Sequence, residues 1–102
     1  MGRLDAKLVR LSFRRGPVTE EVTLTESYTF SMITDGFVAC GIIKPEERAD
    51  MEYVVERTGE HYDADRQMTL GQSNVKPWDR LTIARKGGEV HERRNSRIRR
   101  IG

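Results

Sequence analysis

The residues best placed to do chemistry close the sequence. Arg97-Ile98-Arg99-Arg100-Ile101-Gly102 ends in glycine. A glycine carboxylate has no side chain to obstruct an incoming nucleophile or the donors that would hold an oxyanion. The arginines before it suit pairing with acidic residues of a partner's channel. Elsewhere the reactive residue types are not spaced for catalysis. Cys40 has no His near it in sequence and falls on an apolar helical stripe, so it reads as a small buried side chain rather than a nucleophile. His61 and His91 are thirty residues apart with no Cys or second His at ligand spacing, so no metal site is expected. Asp63-Ala64-Asp65 lacks the Gly and the distal Glu of a calcium loop and reads as a solvated turn. The expectation is a chain that is not an enzyme and needs no cofactor.

Charge is uneven along the sequence. Eighteen Lys and Arg face sixteen Asp and Glu, a net +2. From Arg85 to Gly102 seven bases face only Glu89 and Glu92, so this stretch carries +5 and the preceding body −3. A basic tail on an acidic body suggests a tail that is solvated and open to a partner. The same arginines would suit nucleic-acid phosphates, but no aromatic residue interleaves them for base stacking, which makes nucleic acid the weaker reading. The 102 residues make one domain with a small core. A lone cysteine excludes an intramolecular disulfide and fits a reducing cytoplasm. No apolar run reaches membrane-spanning length, no apolar signal peptide opens the chain, and Ala6 stands where a myristoylation pattern needs Ser or Thr. A cytoplasmic protein without membrane contact is expected.

The elements that would carry the tail show in the period of the apolar residues. Leu8 to Phe13 alternates, with Val9, Leu11 and Phe13 on one side and Arg10, Ser12 and Arg14 on the other. Arg15-Gly16-Pro17 breaks this strand, and Glu21 to Thr25 alternates again with Val22 and Leu24 inward, which predicts an antiparallel hairpin. Phe30, Ile33, Phe37 and Cys40 then follow at helical spacing. Ser27 is the expected N-cap, and Gly41 the left-handed terminator with Ile42 and Ile43 folding back onto the stripe. Gly36 inside the helix costs roughly 1 kcal/mol relative to Ala. Lys44-Pro45-Glu46-Glu47-Arg48 reads as a polar connector. Met51 to Glu56 is a third strand, Thr58-Gly59 a turn, and Glu60 to Ala64 a short polar edge strand. Asp65 to Asn74 is a loop holding Met68 and Leu70 as core plugs. Leu81 and Ile83 alternate with Arg80 and Thr82 in a last strand. This order predicts an α+β chain, a β-grasp in which a mixed sheet wraps one helix. Residues 1–86 would form the domain and 87–102 a basic, flexible C-terminal tail.

Over residues 6–86 the order and spacing resemble ubiquitin and its relatives. Arg15-Gly16-Pro17 falls where that family has its first hairpin turn. Ser27 to Gly41 falls on its helix and terminating glycine, and residues 44–48 on its Pro-containing connector. Met68-Thr69-Leu70-Gly71-Gln72-Ser73-Asn74-Val75 resembles its Thr-Leu-led turn before the last strand. Within the family the chain looks most like the ubiquitin-like proteins of bacterial conjugation operons. The resemblance implies a protein modifier. A ubiquitin-activating-like enzyme would adenylate the terminal carboxylate with ATP, a conjugating-like enzyme would follow, and the acyl group would end on a target protein amine. A JAMM-type zinc peptidase would complete the set. Gly102 would be the conjugation terminus, with Arg97, Arg99, Arg100 and Ile101 guiding the tail into the activating enzyme. The sequence departs from the family's double glycine, since Ile101 holds the penultimate place, and its tail is longer. Gly87-Gly88 is a second candidate, but only four residues separate Ile83 from Gly88, and the pair also suits a two-residue turn.

On the body, Val54 is expected on the sheet face away from the helix, the face this family uses for recognition. Thr82 and Ala84 make it less apolar than the family's usual patch. Trp78, next to Pro77, reads either as an exposed partner anchor or as cover for one end of the core. Lys7, Lys44, Lys76 and Lys86 read either as ordinary surface lysines or as acceptors for a second copy. The alternative function is a non-conjugated interaction or self-assembly module that uses its tail and the edge strand Glu60 to Ala64.

Overall fold

The computed structural model describes residues 7–87. Gly88, the segment Arg97, Arg99, Arg100 and Ile101, and the expected terminus Gly102 lie outside the described residues. The two alternating stretches form β1 (Leu8–Arg15) and β2 (Val18–Thr25), an antiparallel hairpin in register Leu8↔Thr25 through Arg15↔Val18. Gly16 closes it at φ +58°, a conformation that costs glycine nothing. There follow α1 (Phe30–Ala39), a 3-10 turn (Pro45–Asp50), β3 (Met51–Val55), β4 (His61–Asp63), a second 3-10 turn (Leu70–Gln72) and β5 (Arg80–Arg85).

The sheet order is β2-β1-β5-β3-β4. The last strand therefore enters the centre. It runs parallel to β1, with Phe13 opposite Leu81, and antiparallel to β3, with Tyr53 opposite Ile83. One sheet face is apolar at every second residue, and the stripe of α1 packs with it: Phe30, Ile33 and Phe37 share a core with Leu11, Phe13, Tyr53, Val55 and Leu81. Phe13 meets Phe37 and Tyr53 edge-on, at centroid distances of 5.0 and 5.4 Å, and Phe30 stacks on Tyr62 at 4.6 Å. Each such side chain contributes about 1.5–3 kcal/mol on burial. Thr34, a polar residue inside the helix, is also fully buried. Its hydroxyl meets the Tyr53 hydroxyl and lies 2.6 Å from the Ala64 carbonyl oxygen, to which it can donate. Burial pushes the Tyr53 phenol well above its ordinary range.

Four expectations need correction. The N-cap is Thr29, whose hydroxyl accepts the Met32 amide at 3.0 Å, while the Ser27 hydroxyl pairs with Thr25. The loop before the second 3-10 turn decides this: Met68 and Arg66 carbonyls accept the Phe30 and Ser31 amides, so the first turn is anchored from far along the chain. Cys40 is exposed, because the helix stops at Ala39 and Cys40 turns off the stripe as the C-cap. The connector is a 3-10 turn with a buried acid, Glu47. The third strand ends at Val55 and the edge strand is only His61–Asp63, shorter than the alternation suggested. Gly41 does terminate the helix in the left-handed region, at φ +88°, and Ile43 folds back into the core.

Candidate functional site

The open face of the sheet carries the residues of opposite parity. Val54 stands there, half-buried, opposite Thr82 on one side and His61 on the other. Its neighbours on this face are polar apart from the small Ala84, and the His61 ring nitrogen pairs with Glu52 at 2.8 Å. On the same face Arg10, Ser12 and Arg14 of β1 lie beside Arg80 and Thr82 of β5. Among the described residues, Arg14 and Arg80 form no ion pair and no side-chain hydrogen bond. Val54 and Trp78 are not brought together: Trp78 precedes β5, four residues before the partner of Val54.

Trp78 sits at φ +73°, the one non-glycine residue in the left-handed region among those described. There its Cβ crowds the backbone, at a cost of order 1–2 kcal/mol. The surroundings hold it in place. Its amide donates to the Arg10 carbonyl at 2.6 Å, extending the ladder between β1 and β5 beyond the start of β5. Next to it, Asp79 is buried and accepts two bonds from Arg57 (2.9 and 3.0 Å) and one from the Lys76 amide (2.8 Å). Arg57 also donates to the Asn74 carbonyl, and the Asp79 amide donates to the Lys76 carbonyl, so the loop is closed on itself. Burial pushes the Asp79 carboxyl up, but the Arg57 and Lys76 bonds outweigh it and leave the group below its ordinary range. The indole meanwhile points outward, 73% exposed, with the Arg10 guanidinium 5.4 Å from its ring centroid. Trp78 is not a cover for the core.

The other end of β5 is built differently. Glu47 is buried where the hairpin turn, the connector and the strand end meet. Arg15 grips it with two bonds (2.6 and 3.0 Å), Arg85 adds one at 3.0 Å, and the Lys44 amide adds one at 2.8 Å. Arg15 also donates to the Ile42 carbonyl just beyond α1. Its bonds to Arg15 and Lys44 hold the Glu47 carboxyl down to about 2. This cluster fixes the end of β5 against the hairpin turn and the connector. Sequence reasoning missed Glu47 and the Arg57–Asp79 clamp. The arginine partners of Glu47 are 32 and 38 positions away, and no local pattern marks them.

No protein-family model and no curated protein matches the sequence. Solved structures do match. They include the ubiquitin-like domain of an Arabidopsis thaliana protein (TM-score 0.65, 13% identity, 85% of this chain and 86% of that one). The C-terminal ubiquitin-like domain of mouse tubulin-specific chaperone e also matches (0.62, 15%, 83% and 93%). A third is the ubiquitin-like domain of yeast Ddi1 (0.60, 16%, 82% and 95%). At such identities the likeness shows the fold alone, and that fold is the ubiquitin-like β-grasp. Among the described residues no helix is long and apolar enough to cross a membrane.

Proposed function

We propose that this chain is a ubiquitin-like protein modifier, not an enzyme, of the kind found in bacterial conjugation operons. Its reactive group is the Gly102 carboxylate. An activating-like enzyme adenylates it at the expense of ATP, the acyl group passes to an enzyme thiol and through a conjugating-like enzyme, and a target amine displaces the thiol to form an amide. A JAMM-type peptidase hydrolyses that amide. Arg97, Arg99, Arg100 and Ile101 lead the carboxylate into the activating enzyme, and Val54 marks the sheet face offered to partners. One observation carries this reading. The last strand of a ubiquitin-like β-grasp ends at Arg85, at a corner clamped by Glu47, and a basic segment ending in glycine follows in the sequence.

The test is mass spectrometry of an N-terminally tagged copy expressed in its native host, beside a copy lacking Gly102. Heavier species in the intact sample alone, with Gly102 in amide linkage to a Lys or an N-terminal amine, are the expected result. Their absence from both samples, with the neighbouring genes expressed, overturns it. A second reading is a non-conjugated interaction module. The mouse and yeast neighbours, named as ubiquitin-like domains of larger proteins, support it.

A further inference from the structure

We propose that the Trp78 corner is a recognition site in its own right, a dock for a short acidic peptide segment that carries an apolar side chain. The first argument is the conformation. Among the described residues, Gly16, Gly41, Gly59 and Gly87 also occupy the left-handed region, where glycine is unstrained. A tryptophan there is held against its own preference, and its ring buries nothing in the core in return. Strain that the surroundings impose and the fold does not use points to presentation of the side chain. The clamp of Arg57 and Asp79 holds the backbone that carries the ring before any partner arrives, and Arg10 lies against one ring face, which lowers the ordering cost of binding.

The second argument is the pair of shallow clefts that flank the ring. One is apolar, formed by Leu8, Pro77 and Trp78 with Arg10 and Thr23 at its rim. Leu8 is 69% exposed, so two of the most exposed large apolar side chains lie side by side. The other cleft is polar, lined by Glu56, Arg57, Asp79 and Arg80 around the same ring. There Asp79 is already satisfied by Arg57 and the Lys76 amide, whereas Arg80 has no ion-pair partner among the described residues. Arg14 stands beyond it, likewise unpaired. An apolar side chain fits the first cleft, and a carboxylate fits Arg80 across the ring.

Charge also decides against a nucleic-acid strand. Glu21 and Glu56 flank the arginines on this face, so a continuous phosphate chain would cross both. One side of the indole already faces Arg10, which leaves less of it for a base.

Trp78 is the single tryptophan, so its emission reads the site directly. The experiment selects a displayed random library of short peptides on the full chain and discards clones that also bind Trp78→Gly. The peptides recovered, and oligothymidine, are then titrated while tryptophan emission is followed. Expected are peptides with Asp or Glu close to Leu, Ile or Phe that shift the emission. Arg80→Glu and Leu8→Ser should each weaken them about tenfold, with Arg80→Lys retaining most of the binding. An empty selection overturns the proposal. So do peptides without acidic bias, binding indifferent to Arg80→Glu, or tighter binding of oligothymidine. No activating enzyme is present, so the outcome does not depend on whether Gly102 is conjugated.

Discussion

The two ends of β5 use one chemical device to opposite effect. At each end a buried carboxylate is gripped bidentately by an arginine from another element: Asp79 by Arg57 at the start, Glu47 by Arg15 at the finish. At the finish the device draws chain segments inward. It ties the hairpin turn, the connector and the last strand to a single acid, with Arg15 also reaching the Ile42 carbonyl beyond α1, and its bonds serve the fold. At the start the device holds a short loop in a conformation the loop would not choose, and the result is an exposed tryptophan. An ion pair of given geometry is thus not evidence of one role. What decides the role is the condition of the backbone it supports: relaxed around Glu47, left-handed at Trp78.

The largest effect is expected at the inward-facing end. Glu47→Gln removes the charge that Arg15 and Arg85 share and leaves the part-buried Arg15 guanidinium without its carboxylate. A loss of roughly 2–4 kcal/mol in denaturant unfolding is expected, toward the lower side for a cluster that touches solvent. The pH dependence isolates the same group. The Glu47 carboxyl is held near 2 in the fold against an ordinary value of 4.5. Its contribution is therefore complete above about pH 4.5 and is lost as the pH falls toward 2. The difference in stability between the native chain and Glu47→Gln should shrink across that window. A difference that stays constant with pH would mean that the charge is not what holds this corner.

At the outward-facing end, Asp79→Ala should cost less, on the order of 1 kcal/mol, since the main buried loss is the bond from the Lys76 amide. The sharper readout is optical. Released from its clamp, Trp78 should show lower emission anisotropy, and Glu47→Gln should leave the anisotropy unchanged. If the Glu47 variant also loosens the tryptophan, the two ends are coupled through β5 and the contrast between them fails.

How much of this the sequence revealed follows from the range of the interactions. The hairpin, the stripe of α1, the stop at Gly41 and the existence of a last strand were legible because period and turn chemistry are local. The place of that strand at the centre of the sheet rests on pairing with β1 and β3 far away in the chain. Thr69 heading its turn was legible too, and there Thr69 and Gln72 cap each other reciprocally. What was lost depends on distant partners. Ser27 and Thr29 are both good caps, and only the carbonyls of Arg66 and Met68 choose between them. Cys40 keeps the apolar spacing but lies one residue past the helix end. Glu47 looked like one more solvated acid in a polar run. Trp78 was noticed for its type, yet the reason it stands exposed is a backbone angle that no spacing rule reports. Asp79 stands directly before the alternating run from Arg80 to Ile83, and nothing in that run marks it as buried or names Arg57 as its partner.

The smallest effect is expected at Trp78 itself, and there the usual order of glycine and alanine should invert. Trp78→Gly removes a large aromatic residue, which ordinarily destabilises. Here the ring is solvated, and glycine accepts φ +73° without strain, though it gives the unfolded chain more freedom to lose. These two terms oppose, so the expected change is within about 1 kcal/mol of zero. Trp78→Ala isolates the strain, because alanine lacks the ring but keeps the Cβ that crowds the left-handed backbone. Trp78→Gly should therefore unfold at a higher denaturant concentration than Trp78→Ala, whereas at an ordinary helix or strand position alanine is the more stable of the two. Were the alanine variant the more stable one, the backbone would be relaxed without the ring. The ring's stacking on Arg10, not the clamp, would then be what imposes the left-handed turn.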